Sequence, residues 1–184
     1  MSLISRIRLF CSCHLSKKQS ERPLYQEIRR CQARKIVELG VGTGERALGM
    51  IEVAKLVSPA DEIHYIGMAP FEGRSESEGP GLTLKAAHQL LRRDAVRVQL
   101  VPGNLADALV RVANSLGKID LLILPAALES ASFAKMWFFV PRMLHDQSLV
   151  FVEQPLEDGQ TRLESKSRSE INALASLGVR RQAA

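Results

Sequence analysis

From residue 24 onward the chain alternates short apolar runs with longer stretches whose apolar residues recur every three or four positions. The first kind reads as strand, the second as helix. "LYQEIRRCQA" predicts a short lead-in helix, and "KIVELG" (35–40) a strand that ends in glycine. "ERALGMIEVAKLV" (45–57) sets Leu48, Met50, Ile51, Ala54 and Val57 on an apolar helical face, with Pro59 as the stop signal. "IHYIGM" (63–68) is a second strand, followed by a polar, glycine-rich loop over 72–81. A helix over 82–94, a strand over 96–101, a helix over 104–117 and the strand "IDLLIL" (119–124) come next. A helix over 132–144 is kinked or ended near Pro141. "SLVFVE" (148–153) is a fifth strand, and 168–178 a last helix.

Strand followed by helix, with short connections, calls for a parallel sheet covered on both faces. The fold class expected is α/β: a doubly wound, mostly parallel sheet of about five strands. "IDLLIL", apolar without in-out alternation, suits a strand buried on both sides. After strand five the pattern leaves room for one helix and no convincing further strand.

Composition narrows the picture rather than changing it. The chain has 184 residues, of which 46% are hydrophobic, enough for one domain with one core. No apolar run is long enough to span a bilayer. The net charge of +5 is concentrated: residues 1–35 hold nine basic residues against Glu21 and Glu27, so the remainder is slightly acidic. We therefore read 1–23 as a basic, flexible arm and 24–184 as a single domain. Such an arm can contact nucleic acid or an anionic membrane surface, or simply solubilise the chain. Its few aromatics speak against single-strand stacking. The apolar residues of "MSLISRIRLF" are interrupted by Arg6 and Arg8, which breaks the core of a secretory signal. Cys11, Cys13 and Cys31 lie in or just after the arm, in no zinc spacing, and the rest lacks cysteine. A reducing, cytoplasmic setting without disulfides or a metal centre is the expectation.

Chemistry enters at "VELGVGTGERAL" (37–48). Glycines at alternate positions permit positive φ and close approach of a ligand, and the following helix offers free N–H groups. A dinucleotide loop needs G-x-G-x-x-G, but the position that would complete it from Gly40 is Glu45. No Gly-Lys-Ser/Thr follows, so a P-loop is excluded. The spacing is G-x-G-x-G, preceded by the acid Glu38.

"VELGVGTG" closely resembles motif I of the class I S-adenosylmethionine-dependent methyltransferases, a Rossmann-like superfamily. The resemblance implies a loop of Gly40, Gly42 and Gly44 backing the methionine and ribose of the cofactor, with Glu38 helping to hold the amino-acid end. A cationic sulfonium without phosphate suits acidic surroundings. The family's ribose-binding acid after strand two would fall at Met68 or Ala69, where none stands; Glu72 is the substitute on offer. Asn104 falls where the family often has an acid or amide near the adenine, and is equally a good helix N-cap. The Asp/Asn-Pro-Pro-aromatic stretch of amide and adenine methylases is replaced by "LPAALES". The family's C-terminal strand pair is expected to be missing, so either the domain is minimal, or a partner subunit, a second copy or the arm completes the substrate wall.

No catalytic residue is assigned. His14, His64, His88 and His145 sit in the arm, at strand starts or inside a helix, while Glu129, Glu153 and Gln154 sit at carboxyl ends of strands. The function expected is an S-adenosylmethionine-binding methyltransferase acting on an unidentified acceptor. The alternatives are a catalytically idle module of the same fold, or a binder of nucleic acid or membrane through the arm.

Overall fold

The computed structural model describes residues 19–75, 80–126, 131–156 and 161–182. Residues 1–18, and with them Cys11, Cys13, His14 and most of the basic arm, lie outside these, as does Glu129. Two cores form on opposite faces of one sheet, as strands apolar on both sides require. In β1 (Lys35–Leu39), Val37 and Leu39 enter one core and Ile36 the other; Leu122 and Leu124 against Leu121 and Ile123 do the same in β4 (Ile119–Leu124). β2 (Ile63–Ala69) and β3 (Val96–Pro102) run parallel to their neighbours, and β5 (Leu144–Pro155) runs parallel to β4. The sheet order is β3-β2-β1-β4-β5-β6. The chain winds outward from β1 to β3 and returns to β4, so the order reverses between β1 and β4. In open α/β sheets that is where ligands sit, beyond the carboxyl ends of the strands.

Helices α1 (Arg22–Cys31), α2 (Glu45–Val57) and α3 (Leu84–Leu91) cover one face. The other is covered by α4 (Leu105–Leu116), α5 (Ala131–Met143) and α6 (Arg168–Gln182). α2 begins and ends at the residues expected from its periodicity. Pro141 lies inside the last turn of α5, so the helix ends two residues after it. No helix among the described residues is long and apolar enough to cross a membrane.

Two departures from expectation share a cause. β6 (Thr161–Ser165) runs antiparallel to β5, so the strand pair expected to be missing is represented by at least one strand. As an edge strand it buries only Leu163, too little apolar periodicity to read. β5 also starts four residues earlier than expected. Its register against β4 shifts between Ile119 and Leu121, so that "HDQS" (145–148) forms an irregularity. Side chains stabilise that irregularity: Ser148 Oγ donates to the Ile119 carbonyl at 2.6 Å and accepts from the His145 amide at 2.7 Å.

α1 buries Leu24, Tyr25 and Ile28 against α2, each worth about 1.5–3 kcal/mol. The close approach depends on Gly49, where an added Cβ would lie 2.8 Å from Cζ of Tyr25. Gly49→Ala is therefore expected to destabilise the protein by about 1–3 kcal/mol, because overpacking exceeds the gain of about 1 kcal/mol in helix propensity. Urea unfolding checks the sign, and a higher midpoint would contradict it.

At the amino ends of the strands, Asp120 Oδ2 accepts from the amides of Arg34 and Lys35 at 2.8 and 2.7 Å, while Oδ1 meets His145 Nε2 at 2.9 Å. Burial works against this charge, yet the two amides and His145 outweigh it and hold the carboxyl below the usual carboxylate range. A depressed carboxylate stabilises the fold above its unfolded value of about 3.9, and the contribution is lost as pH falls through the folded value. Asp120→Asn should lower the urea midpoint at pH 7, and its gap from wild type should close below about pH 4. A gap independent of pH would show that the charge is not what matters.

Candidate functional site

The loop between β1 and α2 lies at the reversal point and is built from left-handed glycines: φ is +91° at Gly40, +56° at Gly42 and +78° at Gly44. Their roles differ. A Cβ at Gly40 or Gly42 would meet no atom within 4 Å, so these two face open space. A Cβ at Gly44 would lie 2.7 Å from Leu90 and 2.9 Å from Leu82, so this glycine lets the loop pack on α3. Gly44 is also the N-cap of α2 and supplies no side chain, so the first-turn amides are not capped by it. The loop is anchored by Gly40 N–H to the Met68 carbonyl at 2.8 Å and by Leu82 N–H to the Gly42 carbonyl at 3.2 Å.

Beneath the loop runs a charged network that sequence reasoning only half saw. Glu38 is completely buried. Its Oε1 accepts from Arg46 Nε at 2.6 Å and its Oε2 from the Tyr65 hydroxyl at 2.5 Å. Arg46 also pairs with Glu153, at the end of β5, and donates to the Gly40 carbonyl at 3.3 Å. Burial pushes the Glu38 carboxyl up, with Arg46 and the Tyr65 hydroxyl opposing. Burial also acts against the Arg46 charge, but the two carboxylates outweigh it and hold the guanidinium protonated. Burial and Glu38 keep the Tyr65 phenol neutral. We read Glu38 as ionised: Arg46 can only donate, and an O–H···O contact of 2.5 Å falls in the charge-assisted range.

The other expected site residues are placed as follows. Ala69 closes β2 inside a small apolar cluster with Val41, Phe71 and Ala87. Phe71 adopts φ of +47°, uncommon for an aromatic residue. The single turn over Phe71–Gly73 places Glu72 Oε1 2.9 Å from the Leu84 amide, so it caps α3. Asn104 Oδ1 accepts from Ala106 and Asp107 amides at 3.0 and 3.4 Å and caps α4. The structure thus gathers Glu38, Gly40, Gly42 and Gly44 at one place and adds Arg46, Tyr65 and Glu153. Glu72 and Asn104 serve helix ends. His64 and His145 lie at the amino ends of β2 and β5, away from the loop. No cluster of metal-ligating side chains occurs among the described residues.

No family model matches the sequence, and no curated protein matches it. Solved structures do. A protein provisionally named caffeoyl-CoA O-methyltransferase, from Staphylococcus aureus, superposes with a TM-score of 0.54 at 19% identity, covering 96% of this chain and 80% of that one. A TehB-like SAM-dependent methyltransferase from Corynebacterium glutamicum gives 0.51 at 13% identity, over 95% and 79% of the two chains. Sheet order, glycine loop and these likenesses agree: the chain has the Rossmann-like fold of the class I S-adenosylmethionine-dependent methyltransferases.

Proposed function

We propose that the protein binds S-adenosylmethionine over the Gly40–Gly44 loop and transfers its methyl group to an acceptor not yet identified, in the cytoplasm. The observation that carries this reading is the open space above Gly40 and Gly42 at the reversal point of the sheet. A cradle that side chains would fill, held by three left-handed glycines, fits a ligand that lies close on the backbone. When bound, the cofactor supplies the methyl group on a sulfonium. The chain supplies position and field. The glycines admit the ligand, the α2 amides and dipole face it, and Glu38, Arg46 and Glu153 set the local charge. Positioning accounts for much of the rate of an in-line displacement, so an unassigned general base is no obstacle.

A second reading, a cofactor-free module of the same fold, draws on the second half of the pocket. Ala69 offers no acceptor for a ribose, and Asn104 Oδ1 and Glu72 Oε1 serve helix ends. Losing a charge-assisted hydrogen bond there costs about 1.5–3 kcal/mol of affinity, which weakens binding without abolishing it. Isothermal titration with S-adenosylmethionine and with its demethylated product separates the two. Binding in the micromolar to sub-millimolar range is expected; no heat at millimolar ligand would leave the second reading.

A further inference from the structure

Among the described residues, the network under the loop does not balance its charge. Glu38 and Glu153 contribute two carboxylates, Arg46 one guanidinium, and Tyr65 a neutral phenol. The α2 N-terminus returns about half a positive charge, which still leaves the network net negative. Glu38 is completely buried and the Arg46 and Glu153 side chains are only 14% and 19% exposed, so water screens this excess poorly. Arg46 donates to the Gly40 carbonyl, which ties the network to the backbone of the loop whose Gly40 and Gly42 face open space.

We propose that Glu153 is a specificity-determining residue that makes the loop site prefer a cationic group over its neutral counterpart. Without the Glu153 charge, Arg46 and Glu38 neutralise each other and the side chains of the network offer no net charge. With it, one negative charge remains, and a cation placed over Gly40 and Gly42 compensates it. The preference distinguishes a sulfonium ligand from the thioether left after methyl loss, so the site holds the donor more firmly than the spent product. This rests on the cofactor reading above, and the test separates the two.

Three ligands with the same adenosine and amino-acid ends are titrated calorimetrically into the full chain at neutral pH. They are S-adenosylmethionine, a sulfonium; sinefungin, with an amine there; and S-adenosylhomocysteine, a neutral thioether. Wild type should bind the two cations on the order of tenfold more tightly than the thioether. Glu153→Gln keeps an oxygen for Arg46 and should bring the ratio to within about twofold, while Glu153→Asp should retain the preference. Equal wild-type affinity for all three, or an unchanged ratio in Glu153→Gln, would overturn the role of Glu153 and leave cofactor binding standing. If wild type binds none of the three, both readings fall. The wild-type ratio tests the charge preference even where Glu153→Gln does not fold.

Discussion

Arg46→Met should lower the unfolding free energy by about 3–5 kcal/mol, the range for removing one partner of a buried ion pair. The reason is what stays behind. Glu38 is completely buried and would keep only the Tyr65 hydroxyl, and Glu153 would lose its cation. An isolated buried carboxylate takes up a proton rather than remain charged, so the deficit should be larger at pH 8 than at pH 5. Arg46→Met combined with Glu38→Gln should recover part of the loss, since the stranded charge is gone; the pair is coupled and its effects do not add. Trp137 is buried and is the chain's one tryptophan, so its fluorescence follows urea unfolding. A loss below about 1 kcal/mol would mean that the network behaves like a surface salt bridge.

Gly42→Val should abolish binding of S-adenosylmethionine while leaving the fold in place. Two effects act together. The residue sits at φ of +56°, which a β-branched side chain tolerates poorly, at a cost of about 1–3 kcal/mol in local strain. The new Cβ would project into space where no described protein atom lies within 4 Å, the space assigned to the ligand. Its Cβ meets no described atom in the free protein, and the side chain would meet the ligand in the complex. Affinity should therefore fall by at least about a hundredfold, equivalent to about 2.7 kcal/mol. The strain alone moves the melting temperature by a few degrees. Retained affinity would place the ligand elsewhere. A variant that does not fold is answered by Gly42→Ala, which carries the smaller side chain into the same space.

The legible part of the site was the part contiguous in sequence. Glu38, Gly40, Gly42 and Gly44 fall within seven consecutive positions, and their spacing carried the comparison with phosphate loops and the choice against them. Arg46 escaped notice because an arginine in the first turn of a helix ordinarily reaches water. Its partner Glu153 is 107 residues away. Tyr65 read as one apolar residue among others in a strand, and nothing local shows that its hydroxyl turns to Glu38 across the adjacent strand. Asn104 and Glu72 are the reverse case: their types suited a ligand, and the helix amides nearest to them took them first.

Along the chain, hydrophobic periodicity was enough for the alternation of strands and helices, for α2 to its first and last residue, and for a sheet buried on both faces. These are local properties, set by which side chains of one segment must leave water. The antiparallel edge strand β6, the irregularity at 145–148 and the charge balance under the glycine loop belong to another class. Each depends on groups that meet only once the sheet has formed: backbone edges, polar side chains closing a break in the ladder, and two carboxylates from β1 and β5 on one guanidinium from α2. Such contacts leave no period in the sequence, because their energy comes from juxtaposition in a water-poor space rather than from the character of any one segment.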